Sequence, residues 1–241
     1  MAATPLLLAL DQGTSSSRAA LFDSSGTLVA SASAPLAIRY PADGWVEQDP
    51  LAIWESQRQA MAQLEATLTD EQRRSVTCCG ITNQRETTVL WQRSNGAPCG
   101  PALVWQDGRT VDICRQWKDQ GLEANWCHRT GLLLDPYFSA SKIRWLLLHE
   151  PTARAAAERH DLCFGTVESW LLWHLSGRRL HYSDMSNASR TLLMDLEQRQ
   201  WMEAFCDAVT LPSSALPELV PCRGDFGAIS EGLPFAGVPI R

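Results

Sequence analysis

The sequence lacks the short motifs that would by themselves indicate a zinc site, a common nucleotide-binding loop or a hydrolase nucleophile. Its eight cysteines include no CxxC pair and no two pairs at zinc-ligand spacing. It contains no P-loop, no GxGxxG dinucleotide fingerprint and no GxSxG nucleophile elbow. These absences argue against a zinc ribbon, a P-loop or Rossmann nucleotide site, and a serine hydrolase. We expect reduced and mostly buried cysteines, because a free cysteine behaves as a small hydrophobic residue.

Long apolar segments and an excess of basic charge are also missing. No apolar run approaches the roughly 20 residues needed to span a bilayer, and the run at 6–10 is too short for a signal peptide. Acidic residues outnumber basic ones by 27 to 21, which gives a net charge of −6. This balance argues against a nucleic-acid partner or an anionic membrane surface. We therefore expect a cytoplasmic protein with no membrane insertion.

The 241 residues are 45% hydrophobic and 20% charged, so a large core needs no disulfide or metal. Apolar strands at 6–10, 19–22 and 27–33 are separated only by Gly- and Ser-rich turns, which predicts a meander rather than a βαβ opening. Further strands are predicted at 76–82 and 87–91. Helices are predicted after the cap at Asp49, near residue 110, at 139–150, from a cap at Thr166 to residue 177, and at 199–209. The pattern indicates one α/β domain with a mixed, partly antiparallel sheet flanked by helices.

The first candidate site is the turn at 11–18. An acid, Asp11, ends a strand, a glycine turn follows, and the hydroxyls of Thr14, Ser15 and Ser16 precede Arg18. Backbone amides and hydroxyls in such a turn can donate to phosphate oxygens, and a guanidinium can offset their charge. A single carboxylate can hold a hydrated Mg²⁺. An ordinary polar hairpin turn remains the alternative.

Three further clusters carry polar or aromatic groups suited to a small polyhydroxy ligand. Arg85 and Glu86 offer donors and acceptors side by side, or form only a surface ion pair. Trp105, in a cluster with Asp107, can pack against the C–H face of a polyol, or belong to the core. Tyr137 can give a hydroxyl to a ligand, or end a loop before the next helix.

Seven segments, taken together, resemble the FGGY family of carbohydrate kinases. They lie at 10–18, 44–50, 80–88, 104–107, 130–132 with 135–139, 164–166 and 186–191, and they follow the family's order over nearly the whole chain. The stretches at 83–87 and 135–139 resemble the family's glycerol kinases in particular. The resemblance implies a lobe with a ribonuclease-H-like core, as in the actin/hexokinase superfamily, spanning residues 1–241 as an N-terminal domain.

The resemblance also implies roles for the candidate residues. Thr14, Ser15 and Ser16 would meet the ATP phosphates, Arg18 the transferred phosphate, and Asp11 the Mg²⁺ region. A second set would bind glycerol: Arg85, Glu86 and Tyr137 by hydrogen bonds, and Trp105 by packing on its carbon face. The implied cofactors are ATP and Mg²⁺, and the full-length protein is expected to be a homo-oligomer.

The sequence departs from the family at its end. The family's catalytic Asp is expected just beyond residues 237–241, so no general base is assigned in this chain and the polypeptide alone is expected to be inactive. Gly108 stands where the family more often has a bulkier residue. The loop at 230–237 lacks the Lys and Arg with which related kinases bind fructose 1,6-bisphosphate. A kinase for another polyol or sugar, and a non-catalytic binding or regulatory module, remain alternatives.

Overall fold

Short strands and helices alternate along residues 5–241, the part of the chain that this computed structural model describes. The strands are β1 (Leu6–Gln12), β2 (Ser16–Asp23), β3 (Leu28–Pro35), β4 (Glu47–Gln48), β5 (Val76–Asn83), β6 (Val89–Gln92), β7 (Ala102–Leu103), β8 (Leu162–Gly165), β9 (Tyr182–Asp184), β10 (Met194–Asp195), β11 (Gln200–Trp201) and β12 (Glu218–Val220). The helices are α1 (Pro50–Ala66), α2 (Asp70–Arg74), α3 (Val111–Asp119), α4 (Glu123–Thr130), α5 (Ser139–His149), α6 (Pro151–Glu158), α7 (Val167–Leu175), α8 (Met185–Ala188) and α9 (Glu203–Val209).

A four-stranded mixed sheet with the order β3-β2-β1-β5 organises the N-terminal part. The first three strands are antiparallel and β5 runs parallel to β1. Leu6, Leu8 and Leu10 alternate along β1 and are buried on the face that packs against α1 and α7. The parallel pairing places the carboxyl ends of β1 and β5 side by side, and this edge of the sheet carries the candidate site.

Helix α1 begins where the sequence predicts. The side chain of Asp49 accepts a hydrogen bond from the amide of Leu51 at 2.9 Å, and Pro50 occupies the first turn, where its missing N–H costs nothing. Ile53, Met61 and Leu64 are fully buried against the sheet. Burial of each such side chain stabilises the fold by about 1.5–3 kcal/mol.

A second apolar cluster is built from α3 to α6, α9 and one face of the β6–β8 pair. Trp126 stacks on Trp117 at 5.2 Å between ring centroids and lies 4.3 Å from Phe205. The indole N–H of Trp126 donates to the carbonyl of Leu192 at 2.6 Å, so its polar atom is satisfied. This cluster supports the loop and helix that carry Tyr137.

The predicted α/β class with a mixed, partly antiparallel sheet is confirmed, and two local predictions are wrong. The last helix starts at Glu203 rather than at 199, because Gln200–Trp201 pairs with Met194–Asp195 as a short hairpin. The Thr166 hydroxyl does not cap α7; it donates to Oε1 of Glu168 at 2.7 Å.

The cysteines are free, and most of them are buried. Five are buried, two are partly buried and only Cys222 is exposed. Burial raises the pKa of the Cys79 and Cys163 thiols to about 12, so both stay protonated at neutral pH. Among the helices described between residues 5 and 241, none is long and apolar enough to cross a membrane.

Candidate active site

The ends of β1 and β5 meet at one edge of the sheet. Asp11 is in register with Thr82, and Gln12 with Asn83. The turns that follow the two strands therefore lie next to each other and enclose a cleft of about 270 Å³. Its lining consists of Asp11, Gln12, Gly13, Thr14, Asn83, Gln84, Arg85, Glu86, Trp105 and Tyr137. The cleft thus gathers residues from four separate sequence motifs.

The turn after β1 is tight and its backbone is held in place. The Gly13 amide donates to the carbonyl of Ser16 at 2.9 Å, and a Cβ at Gly13 would lie 3.1 Å from that oxygen, so only glycine fits easily. Thr14 lines the cleft, whereas Ser15, Ser16 and Arg18 lie outside its lining. Asp11 and Arg18 are paired directly across β1 and β2, and both are exposed. Asp11 and Arg18 thus lie on the two strands that enter and leave the turn.

Glu86 is the buried acid of the cleft. It is 2% exposed and adopts a left-handed backbone with φ of 62°. Its Oε1 accepts from Nε of Arg190 at 2.6 Å. The neighbouring Arg85 is exposed and forms no ion pair among residues 5–241, so the surface pair between Arg85 and Glu86 that the sequence left open does not exist. Strained backbone at a non-glycine residue is often found at functional sites.

Two aromatic rings form one wall of the cleft. Trp105 and Tyr137 meet edge to face with centroids 5.7 Å apart. The indole N–H of Trp105 donates to Oγ1 of Thr14 at 3.0 Å. Because the Thr14 hydroxyl accepts this bond, its own O–H remains able to donate. The aromatic wall is therefore hydrogen-bonded to the turn after β1.

The loop that carries Tyr137 is held by a buried lysine. Nζ of Lys142 donates to the carbonyl of Tyr137 at 3.1 Å and also to that of Pro136. Lys142 is 0% exposed, and burial lowers the pKa of its ammonium from 10.5 to about 8, although nearby carboxylates oppose the shift. A second bond from the first turn of α5, from Ser139 Oγ to the carbonyl of Glu86, is 3.2 Å long. The start of α5 thus anchors both sides of the cleft.

Asp107, from the same motif as Trp105, has a structural role. It is 1% exposed and accepts from the amide of Val46 at 2.6 Å. It also forms a buried pair with Arg109, whose guanidinium lies 3.8 Å over the ring of Trp45 and forms a salt bridge with Glu47 at 2.7 Å. Both carboxylate oxygens of Asp107 already accept hydrogen bonds within the protein, so Asp107 is not available to bind a ligand. A Cβ at Gly108 would meet only the Gly44 carbonyl at 3.6 Å, an ordinary contact.

A larger cleft of about 440 Å³ adjoins the first and shares Asn83 and Arg85 with it. Its buried acid is Glu168, which accepts from the hydroxyls of Thr166 and Ser183, each at 2.7 Å. Burial raises the pKa of Glu168 to about 7 despite these bonds. Glu168 was not expected from the sequence. Of the nine predicted site residues, the larger cleft contains only Arg85, whereas the smaller one contains six.

The donor set for a metal is limited. No group of three or more His, Cys, Asp or Glu side chains lies close enough to hold a metal within residues 5–241. Asp11 stands alone beside the turn amides and the Thr14 hydroxyl. This set fits Mg²⁺, which commonly takes one or two carboxylates together with waters and substrate phosphates. It does not fit a structural zinc or a transition-metal centre.

The fold and the cleft define a carbohydrate kinase domain. A structure of Plasmodium falciparum glycerol kinase with ADP is similar, with a TM-score of 0.90 and 32% identity over 98% of this chain and 47% of that one. The xylulose kinase from Rhodospirillum rubrum gives a TM-score of 0.87 and 27% identity over 98% of this chain and 48% of that one. These sugar kinases share the fold of the actin/hexokinase superfamily, which confirms the expected architecture.

The chain belongs to the FGGY family of carbohydrate kinases, because the family's N-terminal domain model matches residues 6–237. It is 50% identical over 237 residues to glycerol kinase of Thermus brockianus, which covers 98% of this chain and 47% of the relative. Glycerol kinase of Methylibium petroleiphilum is 48% identical over 238 residues, at 97% and 47% coverage. The chain thus spans about half the length of the curated relatives it matches.

Six of the nine residues singled out from the sequence line the smaller cleft, and three do not. Asp11, Thr14, Arg85, Glu86, Trp105 and Tyr137 converge there, while Ser15, Ser16 and Arg18 lie on the turn and strand beside it. Sequence reasoning missed Arg190, Lys142, Gln48 and Gln84 as supporting residues. Arg190, Gln48 and Gln84 lie inside segments that carried the family resemblance, but those segments alone do not reveal their partners.

Proposed function

We propose that this chain is the polyol-binding N-terminal domain, residues 1–241, of an ATP-dependent kinase that converts glycerol to sn-glycerol 3-phosphate. The observation that carries the proposal is that two sets of residues share one cleft: Arg85, Glu86, Trp105 and Tyr137 line it together with Gly13 and Thr14 of the turn after β1. A cleft of about 270 Å³ suits a small polyol. The 50% identity to a glycerol kinase favours glycerol over larger sugars.

Each polyol residue has a specific task in this proposal. The Glu86 carboxylate accepts a hydrogen bond from a glycerol hydroxyl, while Arg190 holds the carboxylate in place at 2.6 Å. Arg85 and the Tyr137 hydroxyl supply donors, and the Trp105 ring covers the carbon chain. A buried acid with a fixed orientation discriminates well, because a ligand lacking the matching hydroxyl leaves it unpaired.

The phosphate residues act by position and charge. The turn amides with the Thr14, Ser15 and Ser16 hydroxyls bind the ATP phosphates, and Arg18 neutralises the transferred phosphate. Asp11 would hold Mg²⁺, which supplies charge stabilisation on the phosphate oxygens when bound. Phosphoryl transfer depends mostly on such positioning and electrostatic stabilisation.

The general base is proposed to be an Asp outside these residues, as the family resemblance implies. The purified 241-residue polypeptide is therefore expected to form no glycerol 3-phosphate, since a positioned base typically contributes about 10²–10⁴-fold. ATP-dependent product formation by this polypeptide, with host kinase excluded, would contradict that part of the proposal. We also propose that the protein is cytoplasmic. The full-length protein is proposed to be a homo-oligomer, and light scattering would test this oligomeric state.

Calorimetry on this chain tests the polyol assignment. We expect glycerol to bind, and Glu86→Gln to weaken binding at least tenfold, because the neutral amide loses a charged hydrogen bond worth about 1.5–3 kcal/mol. Glu158→Gln, an exposed acid on α6, is the matched control and should bind as the wild type does. Failure of glycerol to bind, or equal binding by Glu86→Gln, would overturn the assignment.

A kinase for another sugar is the second candidate, supported by the likeness to a xylulose kinase. Assays of the full-length protein with glycerol, erythritol and xylulose separate the two, since only the preferred substrate should saturate at low concentration. A non-catalytic binding module would bind a polyol without ATP-dependent product in the full-length protein.

A further inference from the structure

Three glutamine side chains lie buried beneath the turn that follows β1. Gln12 is 0% exposed, Gln48 is 1% exposed and Gln84 is 8% exposed. They come from β1, β4 and the segment after β5, so they are distant in sequence. A buried primary amide is costly unless its donors and acceptor are satisfied. Their hydrogen-bond partners therefore reveal what these residues hold together.

Gln84 occupies the centre of the group. Its Nε2 donates to Oε1 of Gln48 at 2.8 Å and to Oε1 of Gln12 at 3.1 Å. Its Oε1 accepts from the hydroxyl of Thr87 at 3.0 Å. Both N–H groups and the carbonyl of this one side chain are thus engaged.

These hydrogen bonds continue to the turn after β1 and to the aromatic wall of Trp105 and Tyr137, and together they form a closed ring of hydrogen bonds. On the phosphate side, Nε2 of Gln48 donates to the carbonyl of Thr14 at 2.6 Å. On the polyol side, the Trp105 amide donates to Oγ1 of Thr87 at 3.2 Å. The Trp105 indole then returns to Oγ1 of Thr14 at 3.0 Å. The ring therefore runs from Gln84 through Gln48, Thr14, Trp105 and Thr87 back to Gln84.

We propose that Gln84 is a positioning residue that fixes the phosphate-binding turn relative to the polyol wall. The inference rests on the proposed function, because it assigns the turn to phosphate and the wall to the polyol. Gln84 does not need to touch either substrate for this role. Since a misplacement of about 1 Å between reacting groups costs about 10²-fold in rate, loss of the ring should reduce turnover more than polyol binding.

The kinetic test uses the full-length protein with Gln84→Met, which keeps the length of the side chain and removes its hydrogen bonds. We expect kcat to fall at least tenfold while the KM for glycerol changes less than threefold. Thr130→Val is the control, because it removes hydrogen bonds outside the cleft, from Thr130 Oγ1 to the Trp126 carbonyl and from the Leu132 amide to Thr130 Oγ1. It should lower the unfolding midpoint without lowering kcat.

A kcat for Gln84→Met within twofold of the wild type would overturn the proposal, and so would a change confined to KM. The double variant Gln48→Met/Gln84→Met adds a second criterion. If the ring acts as a unit, its kcat should match that of the slower single variant within twofold. Multiplicative losses would mean that the two glutamines act independently, which also contradicts the ring.

A spectroscopic test on the 241-residue chain does not depend on catalysis. The indole N–H signal of Trp105, assigned with Trp105→Phe, should move in Gln84→Met although Gln84 forms no hydrogen bond to that indole. It should stay in place in Thr130→Val. An unmoved signal in Gln84→Met would overturn the ring. If the signal moves but the full-length wild type does not phosphorylate glycerol, the proposed function fails and the ring stands.

Discussion

Glu86 and Arg190 lie 104 residues apart in the chain and share a hydrogen bond of 2.6 Å between Oε1 and Nε. Glu86 is almost fully buried, whereas Arg190 is partly exposed and its guanidinium also approaches the ring of Phe138 at 5.0 Å. The arginine therefore fixes the acid in the cleft and packs against the loop that carries Tyr137.

We expect Arg190→Met to weaken glycerol binding to this chain by about 10- to 100-fold, because it leaves a buried carboxylate without its charged partner. Arg190→Lys should recover part of the loss. Calorimetry measures both. Arg129→Met, which removes another arginine–carboxylate pair outside the cleft, is the control and should bind glycerol normally. Normal binding by Arg190→Met would show that Glu86 does not need this partner.

The hairpin turn and the start of α1 could be predicted from the sequence because their causes are local. Gly13 and the hydroxyl residues indicate a turn, and Asp49 with Pro50 indicates a helix start. Both predictions depend on neighbours within a few positions, and the structure agrees with both.

The supporting residues of the cleft could not be predicted, because their partners are distant. Nothing near Lys142 in the sequence shows that its ammonium caps the carbonyls at the end of the preceding loop, and nothing near Gln48 shows that it reaches Thr14. A lysine at the start of a helix ordinarily lies in solvent. The family resemblance identified residues that line the cleft, but it did not identify the residues that hold them in place.

His174 predicts sensitivity to acid. Its ring stacks on Trp54 with centroids 4.8 Å apart, and its Nε2 has no hydrogen-bond partner among residues 5–241. Burial lowers the pKa of His174 from 6.5 to about 4. Between these values the unfolded state binds the proton and the folded state does not, so stability falls as the pH falls.

We expect His174→Phe, which keeps the aromatic stack, to remove about 1–2 kcal/mol of the stability loss between pH 7 and pH 5. Urea unfolding at a series of pH values measures it. His181, whose pKa burial also lowers to about 4, remains in the variant, so part of the acid sensitivity should persist. Identical pH profiles for the two proteins would contradict the assignment to His174.

Lys142 predicts the response to alkali. Burial lowers the pKa of Lys142 from 10.5 to about 8, so between these values the unfolded state holds a proton that the folded state has lost. Stability contributed by this group therefore rises with pH in that window. The free energy of unfolding of the wild type, relative to that of Lys142→Met, should therefore rise by about 1–2 kcal/mol from pH 7 to pH 9.5. A constant difference would mean that Lys142 stays charged.

The loop at 230–237 predicts the absence of one form of regulation. It contains no Lys or Arg, and it carries Glu231 and Pro234, which has no N–H to donate. The structure adds a further obstacle to an anion. The Phe235 amide donates to Oε1 of Glu65 at 2.7 Å, and the Gly237 amide donates to the carbonyl of Ile229 at 2.8 Å. A phosphate would therefore meet a carboxylate and amides that are already engaged.

We expect fructose 1,6-bisphosphate neither to bind this loop nor to inhibit the full-length protein through it. Calorimetry on the chain at low ionic strength should detect no heat of binding, since weak screening favours any attraction that exists. Glu65→Gln is an informative variant, because it removes the competing charge but restores no cation, so it should also fail to bind. Saturable inhibition of the full-length protein that disappears on replacement of residues 231–235 would contradict the prediction. Inhibition that survives the replacement would place the bisphosphate elsewhere, because a loop that carries Glu231 and in which the amides of Phe235 and Gly237 are already engaged has little to offer a phosphate.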